Sequence, residues 1–547
     1  MNKPSFSTYA KENGGRVSLL FLLFLLAILE FITSGFSTFA VICLIPPLVV
    51  ITVILSKQRM MTFWSLIVIN YLVQAKWLNL PVPTSVPNEI LQLILLAFAL
   101  IDIHESHFKR LLNIMFITVA IWCGFCTLEV LNDTCDIGID VAAWYTVARM
   151  IGYQIMYIFL VFTLYVTSPK VMVRYLYVWG ALAFFAAFWV WKQQYIGFTE
   201  AENSFLQGRG HATHVLNAGT LIRYFSIYSD AANFGIGTAS TAVAFIIFGI
   251  TSKIKKLKIF FLIVGFACAW AMFPSGTRTA IACFMFGMMM YVFLSKSIKI
   301  AIPFTIVFAL FAFVLAFTNI GNGNQQIRRM RSAFNKDDAS AAQRSINQTA
   351  MKKYMAEAPW GIGMGVGYRN APANNKYTFM ATIPPDSEFV FIWIHTGIIG
   401  ITIFLICMGL MFLGACRIVF FKIKNPSLRG IGAGFCCAFG SQLLGGYGNQ
   451  VLMQFPNCLA FFGGLTIVYI LPYIENEWIA YEEEELAKQE EKLRLKLEKK
   501  ESIKSIVITL ILLFFQIDST NDAESRRGYH EVPLSVHFYS FLHSLHI

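Results

Sequence analysis

Apolar residues run in long blocks broken by short polar connections, and the blocks lie near 17–34, 36–55, 60–75, 89–104, 111–131, 143–167, 171–192, 232–250, 259–273, 279–295, 300–318, 387–414, 430–450 and 456–473. A helix crossing a bilayer needs about 20 residues, mostly apolar, so the pattern predicts a chain of about 12–14 membrane-spanning helices, a few of them short. Basic residues test that reading, because short connections on the cytoplasmic side collect Lys and Arg. Lys57 and Arg59, Lys109 and Arg110, Lys170 and Arg174, Lys253 to Lys258, Lys296 and Lys299, and Arg417 to Arg429 fall in every second connection. The connection holding Asp133, Asp136 and Asp140 lies on the opposite side and has no Lys or Arg. This alternation puts both termini in the cytoplasm and two long connections, 194–231 and 319–386, outside.

Beyond the last span, Glu477 to Lys504 is a dense run of Glu and Lys. Spacings such as Glu484 with Lys488 and Glu490 with Arg494 predict a solvated cytoplasmic helix over 474–504. The tail 505–547 contains an apolar stretch too short to span, and no role is assigned to it. The expected organisation is therefore a transmembrane domain over 1–473, the charged helix, and the tail.

Composition agrees. Of 547 residues, 57% are hydrophobic and 14% charged, with 51 Phe and a mean hydropathy of +0.61, far from the charged quarter usual in soluble domains. The formal net charge of +12 follows from basic cytoplasmic connections and needs no nucleic acid partner. The apolar run after Lys3, Lys11 and Arg16 lacks a small-residue cleavage site and reads as a retained span. All of the 11 Cys except Cys135 fall in apolar segments, where free thiols pack as small hydrophobes.

The long outward insert is the place for chemistry, since irregular backbone cannot face lipid and ordered loops of this length generally bind or catalyse. It carries Arg344, the run Pro359-Trp360-Gly361-Ile362-Gly363-Met364-Gly365-Val366-Gly367-Tyr368, Arg369, and Asp386-Ser387 opening the helix that starts at Glu388. Its excess of Lys and Arg suits an anionic ligand. Two further outward motifs are Arg223 to Gly235 and the tight turn Ser275-Gly276-Thr277-Arg278. The alternating glycines lack the strand and helix of a dinucleotide fingerprint and read as a tight turn. His211 and His214 have metal-binding spacing but no evident third ligand, and no metal or other cofactor is expected. His395, inside a span, reads as a hydrogen-bonded packing residue.

Taken in order, the Arg-led loop closing in Asn-x-Gly, the Ser-Gly-x-Arg turn, the Pro-x-x-Gly-x-Gly-x-Gly run and the polar pair before a helix containing Gly-Ile-Ile-Gly make the chain resemble the superfamily of O-antigen ligases and Wzy-type polymerases over residues 205–410. That resemblance implies an all-α, GT-C-like polytopic protein of the bacterial inner membrane. It also implies transfer of a glycan from an undecaprenyl-diphosphate carrier to a sugar hydroxyl at the periplasmic face, alongside other polysaccharide assembly proteins such as a chain-length regulator. Arg278, Arg223 and Arg344 are the candidates for holding the diphosphate, because guanidinium forks match phosphate oxygens. An interfacial Arg reaching lipid headgroups is the plainer alternative. Asp386 is the candidate base, with Glu388 in reserve, and a helix cap at Asp386 is the alternative. Gly361, Gly363, Gly365 and Arg369 are the expected substrate loop. Ligases of the superfamily have His-Asn where this chain has Asp386-Ser387, which favours a polymerase. A ligase and a transporter of anions or lipid-linked sugars are the rivals, although a transporter would place polar groups at the midplane in related halves.

Overall fold

The computed structural model describes residues 58–77, 85–101, 107–216, 221–296 and 387–525, and residues 302–380 in part. Helices α1 (Arg59–Leu72), α2 (Val86–Ile101), α3 (Ile114–Leu128), α4 (Val141–Ala148), α5 (Gln154–Tyr165), α6 (Pro169–Tyr195), α7 (Glu200–Gln207), α8 (Ala231–Thr251), α9 (Lys255–Ala271), α10 (Arg278–Leu294), α11 (Ala339–Met355), α12 (Glu388–Arg417), α13 (Pro426–Gly448) and α14 (Asn457–Ser525) carry the architecture. Among the described residues the only strands are Val215–Leu216 and Leu221–Ile222, a short antiparallel pair. Among the described residues six stretches are long and apolar enough to cross a membrane: Ile114–Leu131, Val141–Tyr165, Pro169–Tyr195, Ala231–Thr251, Glu388–Lys422 and Asn457–Leu512. Val86–Ile101 and Arg278–Leu294 are shorter apolar helices. The protein is all-α and polytopic, as expected; the runs expected at 17–34 and 36–55, and much of 300–318, lie outside the described residues.

Two helices rich in small residues, α8 and α13, form the centre and are buried along nearly their whole lengths. In lipid there is no hydrophobic drive between helices, so close backbone approach and interhelical hydrogen bonds must hold them. A Cβ added at Gly434 would come within 2.5 Å of the Phe248 ring. Gln442 donates to Ser240 Oγ at 3.2 Å, and Ser441 Oγ donates to the Cys283 carbonyl at 2.9 Å. Trp179 of α6 closes the packing, stacked on Phe435 at 5.9 Å.

The basic connections gather at one end. Arg110 donates to the Thr167 carbonyl at 3.2 Å and lies over the Tyr473 ring, and Lys296 lies 4.0 Å over Phe420. At the other end of these helices lie the connections that carry Arg223, the Ser275–Arg278 turn and Ser387. Contacts divide the chain into two compact units, Met1–Tyr481 and Glu482–Ile547. In the second unit Lys488 pairs with Glu484 at 2.6 Å as the spacing suggests, but Arg494 pairs with Glu498, not Glu490. These exposed pairs stabilise little.

Candidate active site

The segment before α8 is irregular and tightly held. Asp230 caps α8 by accepting from the Ala232 and Asn233 amides at 2.8 and 2.9 Å. Ser226 sits at φ +53; its amide donates to Gln193 Oε1 at 2.9 Å and its hydroxyl donates to the Ala186 carbonyl at 2.7 Å. Gln193 and Trp189 in turn donate to the buried carboxylate of Glu202, whose Oε2 takes the Thr199 amide in a capping box.

That anchoring aims Arg223 at the Ser275–Arg278 turn. Its Nε donates to the Ser275 carbonyl at 3.2 Å, one Nη to Thr277 Oγ1 at 3.0 Å and the other to the Thr213 carbonyl at 3.0 Å. Thr277 Oγ1 passes a hydrogen bond on to the Ala231 carbonyl at 2.8 Å. Arg329, from the insert, donates to the Gly276 carbonyl at 3.0 Å. A Cβ at Gly276 would lie 3.4 Å from Arg329 Cδ and 3.5 Å from Arg223 Cγ, so both side chains lie against this residue. Arg278 follows as the first residue of α10, where unpaired amides add positive potential. Burial, then the charges of Arg329 and Arg278, pull the Arg223 pKa down to about 10, with Asp230 opposing. Arg223 therefore remains cationic at neutral pH, and three guanidinium groups share one corner.

His214 closes the back of this corner. Its Nε2 accepts from the Ala231 amide at 3.1 Å and its Nδ1 faces the Gly210 carbonyl at 3.1 Å, which assigns the proton to Nδ1. Burial first, then Arg223, lowers its pKa to about 4. His211 is exposed, and no group of three potential metal ligands exists among the described residues. Lys76 donates to the Ser229 carbonyl at 2.9 Å, and burial lowers its pKa to about 8 against the pull of Asp230.

A second corner forms where the glycine run meets α12. The helix breaks at Gly397, at φ +66 and ψ −168. The run supplies backbone partners there: Ile362 N donates to Ile394 O at 2.9 Å, Gly363 N to His395 O at 3.1 Å, and Ile399 N to Pro359 O at 3.3 Å. A Cβ at Gly397 would sit 2.0 Å from Pro359 O, and one at Gly361 would sit 2.4 Å from the His395 carbonyl. Both positions need glycine. Gly363 lies against Asn132 O and Gly365 near Asp140 O, so the backbone these glycines approach is the protein's own. His395 Nδ1 bonds the Phe391 carbonyl at 2.9 Å, in keeping with a packing role.

Ser387 caps α12, accepting from Phe389 N at 3.2 Å and donating to the Gly446 carbonyl at 3.1 Å. Ser387 thus supplies a cap at this helix start, and the cap considered for Asp386 lies outside the described residues. Glu388 is buried, with Oε2 accepting from Leu452 N at 3.1 Å, so it fastens the connection between α13 and α14. Asp386 and Arg369 lie outside the described residues, and Arg344 falls in α11 with its side chain undescribed.

Residues 259–405 match the model of the O-antigen ligase family. This stretch is similar to the O-antigen ligase family. It contains the Ser275–Arg278 turn, Arg329, the glycine run, Ser387, Glu388 and the break in α12, and it supports the resemblance read from motif order. Arg223 precedes the matched stretch yet is bonded into its turn. No curated protein matches the chain. Arg329 was not singled out from sequence, because nothing in its spacing separates it from the other cations of the insert.

Proposed function

We propose that the protein is a polysaccharide polymerase, extending glycan repeat units carried on undecaprenyl diphosphate at the periplasmic face of the bacterial inner membrane. The observation that carries this reading is the corner of Arg223, Arg278 and Arg329 around Gly276, inside or bonded to the stretch that matches the O-antigen ligase family. In the reaction, an acceptor hydroxyl attacks the anomeric carbon of the donor glycan and the bond from that carbon to the diphosphate oxygen breaks. The lipid diphosphate leaves with the electron pair, and the hydroxyl proton passes to a base, for which Asp386 is the candidate. Guanidinium groups fixed by backbone carbonyls meet the growing charge without reorganising, which is where such groups lower a barrier most.

A ligase that moves finished glycan to lipid A-core is the second reading, favoured by the description of the matched family. Asp386-Ser387, in place of the His-Asn pair of ligases, favours the polymerase. Purified full-length protein incubated with lipid-diphosphate-linked repeat units separates the readings. A product ladder supports polymerisation, transfer only to lipid A-core supports ligation, and no transfer to either acceptor overturns both. Asp386→Asn should abolish the ladder, and a full ladder from that variant would refute Asp386 as base.

A further inference from the structure

A crevice of about 360 Å³ opens at the second corner, between the end of α3 and the glycine run. Trp360 lines it and is 51% exposed. Its carbonyl is gripped by Asn132 Nδ2 at 2.8 Å, and its ring lies within 13° of parallel to that of Phe125. Glu129 lines the same crevice and is only 4% exposed. Asn132 donates to its Oε2 at 2.8 Å, while Oε1 has no hydrogen-bond partner among the described residues. Asp133 and Thr134 complete the polar side, and no Lys or Arg is among the lining residues.

These features exclude an anion and suit a neutral ring rich in hydroxyl donors. The volume falls at the low end of small-ligand pockets, about 300–1,000 Å³, enough for a mono- or disaccharide. We infer that this crevice is a saccharide subsite, in which the apolar face of a sugar of the growing or accepting glycan packs on Trp360 while its hydroxyls donate to Glu129 and Asp133. The inference rests on the glycan-transfer reading for the kind of ligand, and it places the sugar in a corner separate from the cationic one.

The test uses the full chain in nanodiscs and saturation-transfer NMR with lipid-free repeat-unit oligosaccharide released from the producing cell's own surface polysaccharide, with maltose and phosphoethanolamine as comparison probes. Trp360→Ala should bind the oligosaccharide about five- to tenfold more weakly, the scale of one aromatic contact, and Trp360→Phe should recover much of that loss. Glu129→Gln should weaken binding, while Arg278→Ala should bind free oligosaccharide normally although it fails in transfer. Unchanged binding by Trp360→Ala, no binding by the wild type, or displacement of the sugar by phosphoethanolamine would overturn the subsite. Trp360-dependent binding by a protein that transfers nothing from the lipid donor would instead leave the subsite standing and remove the polymerase and ligase readings.

Discussion

The two irregular corners at the end away from the basic connections are built from opposite materials. Around Gly276, side chains do the work: Arg223 and Arg329 reach backbone carbonyls of a tight turn, and Arg278 starts the helix beyond it. Around Gly397, backbone does the work, with the glycine run supplying the hydrogen bonds that a broken helix lacks. One corner concentrates positive charge. The other, lined by Trp360 and Glu129, presents no cation and exposes an aromatic face. The glycan transfer proposed above would use both kinds of surface, one for a charged leaving group and one for a sugar.

Substitution at the break should have the largest effect. Gly397→Ala puts a Cβ 2.0 Å from Pro359 O at a left-handed position, and a cost above about 4 kcal/mol is expected. Gly409→Ala, further along α12 with nothing within 4 Å, should be neutral or gain up to about 1 kcal/mol. Detergent size-exclusion and thermal melts of the pair check whether the second corner depends on backbone closure. Arg278→Ala should lower transfer about 10²- to 10³-fold with little change in melting temperature, and Arg278→Lys should fall between. Equal loss from both corners without loss of fold would break the division of labour.

A pH effect is expected at the charged corner. His214 is held neutral, its pKa lowered from 6.5 to about 4 by burial and Arg223, so the unfolded chain binds the proton first. Its contribution is complete above about pH 6.5 and is lost as pH falls through 4. His214→Ala should remove that part of the acid sensitivity and cost about 1–3 kcal/mol at neutral pH, since the Ala231 amide loses its acceptor. Thermal melts between pH 4 and 7 compare the two. The smallest loss belongs to Ser387→Ala, about 1 kcal/mol for a lost cap, read by the same melts at neutral pH.

The spans, the segregation of basic connections and the start of α12 were legible because each depends on a repeated or local signal: apolar runs, charge alternation, a polar residue before an apolar block. The meeting of Arg223 with the Ser275–Arg278 turn was legible only through motif order. Arg329 and Glu129 were not, because a lone charge in a polar stretch acquires its partner through tertiary contact. The break at Gly397 was hidden for another reason. Hydropathy stays high through Ile394-His395-Thr396-Gly397-Ile398-Ile399, so an interrupted helix and a continuous one look alike until the glycine run is seen filling the gap.

That gap has a further consequence. Residues 388–396 are set off from the rest of their span by the break and are held on two sides, by Pro359–Gly363 and, through Ser387 and Glu388, by the connection between α13 and α14. A shift of the insert would therefore be felt at Ser387 and Glu388 and, through their hydrogen bonds, at the connection between α13 and α14.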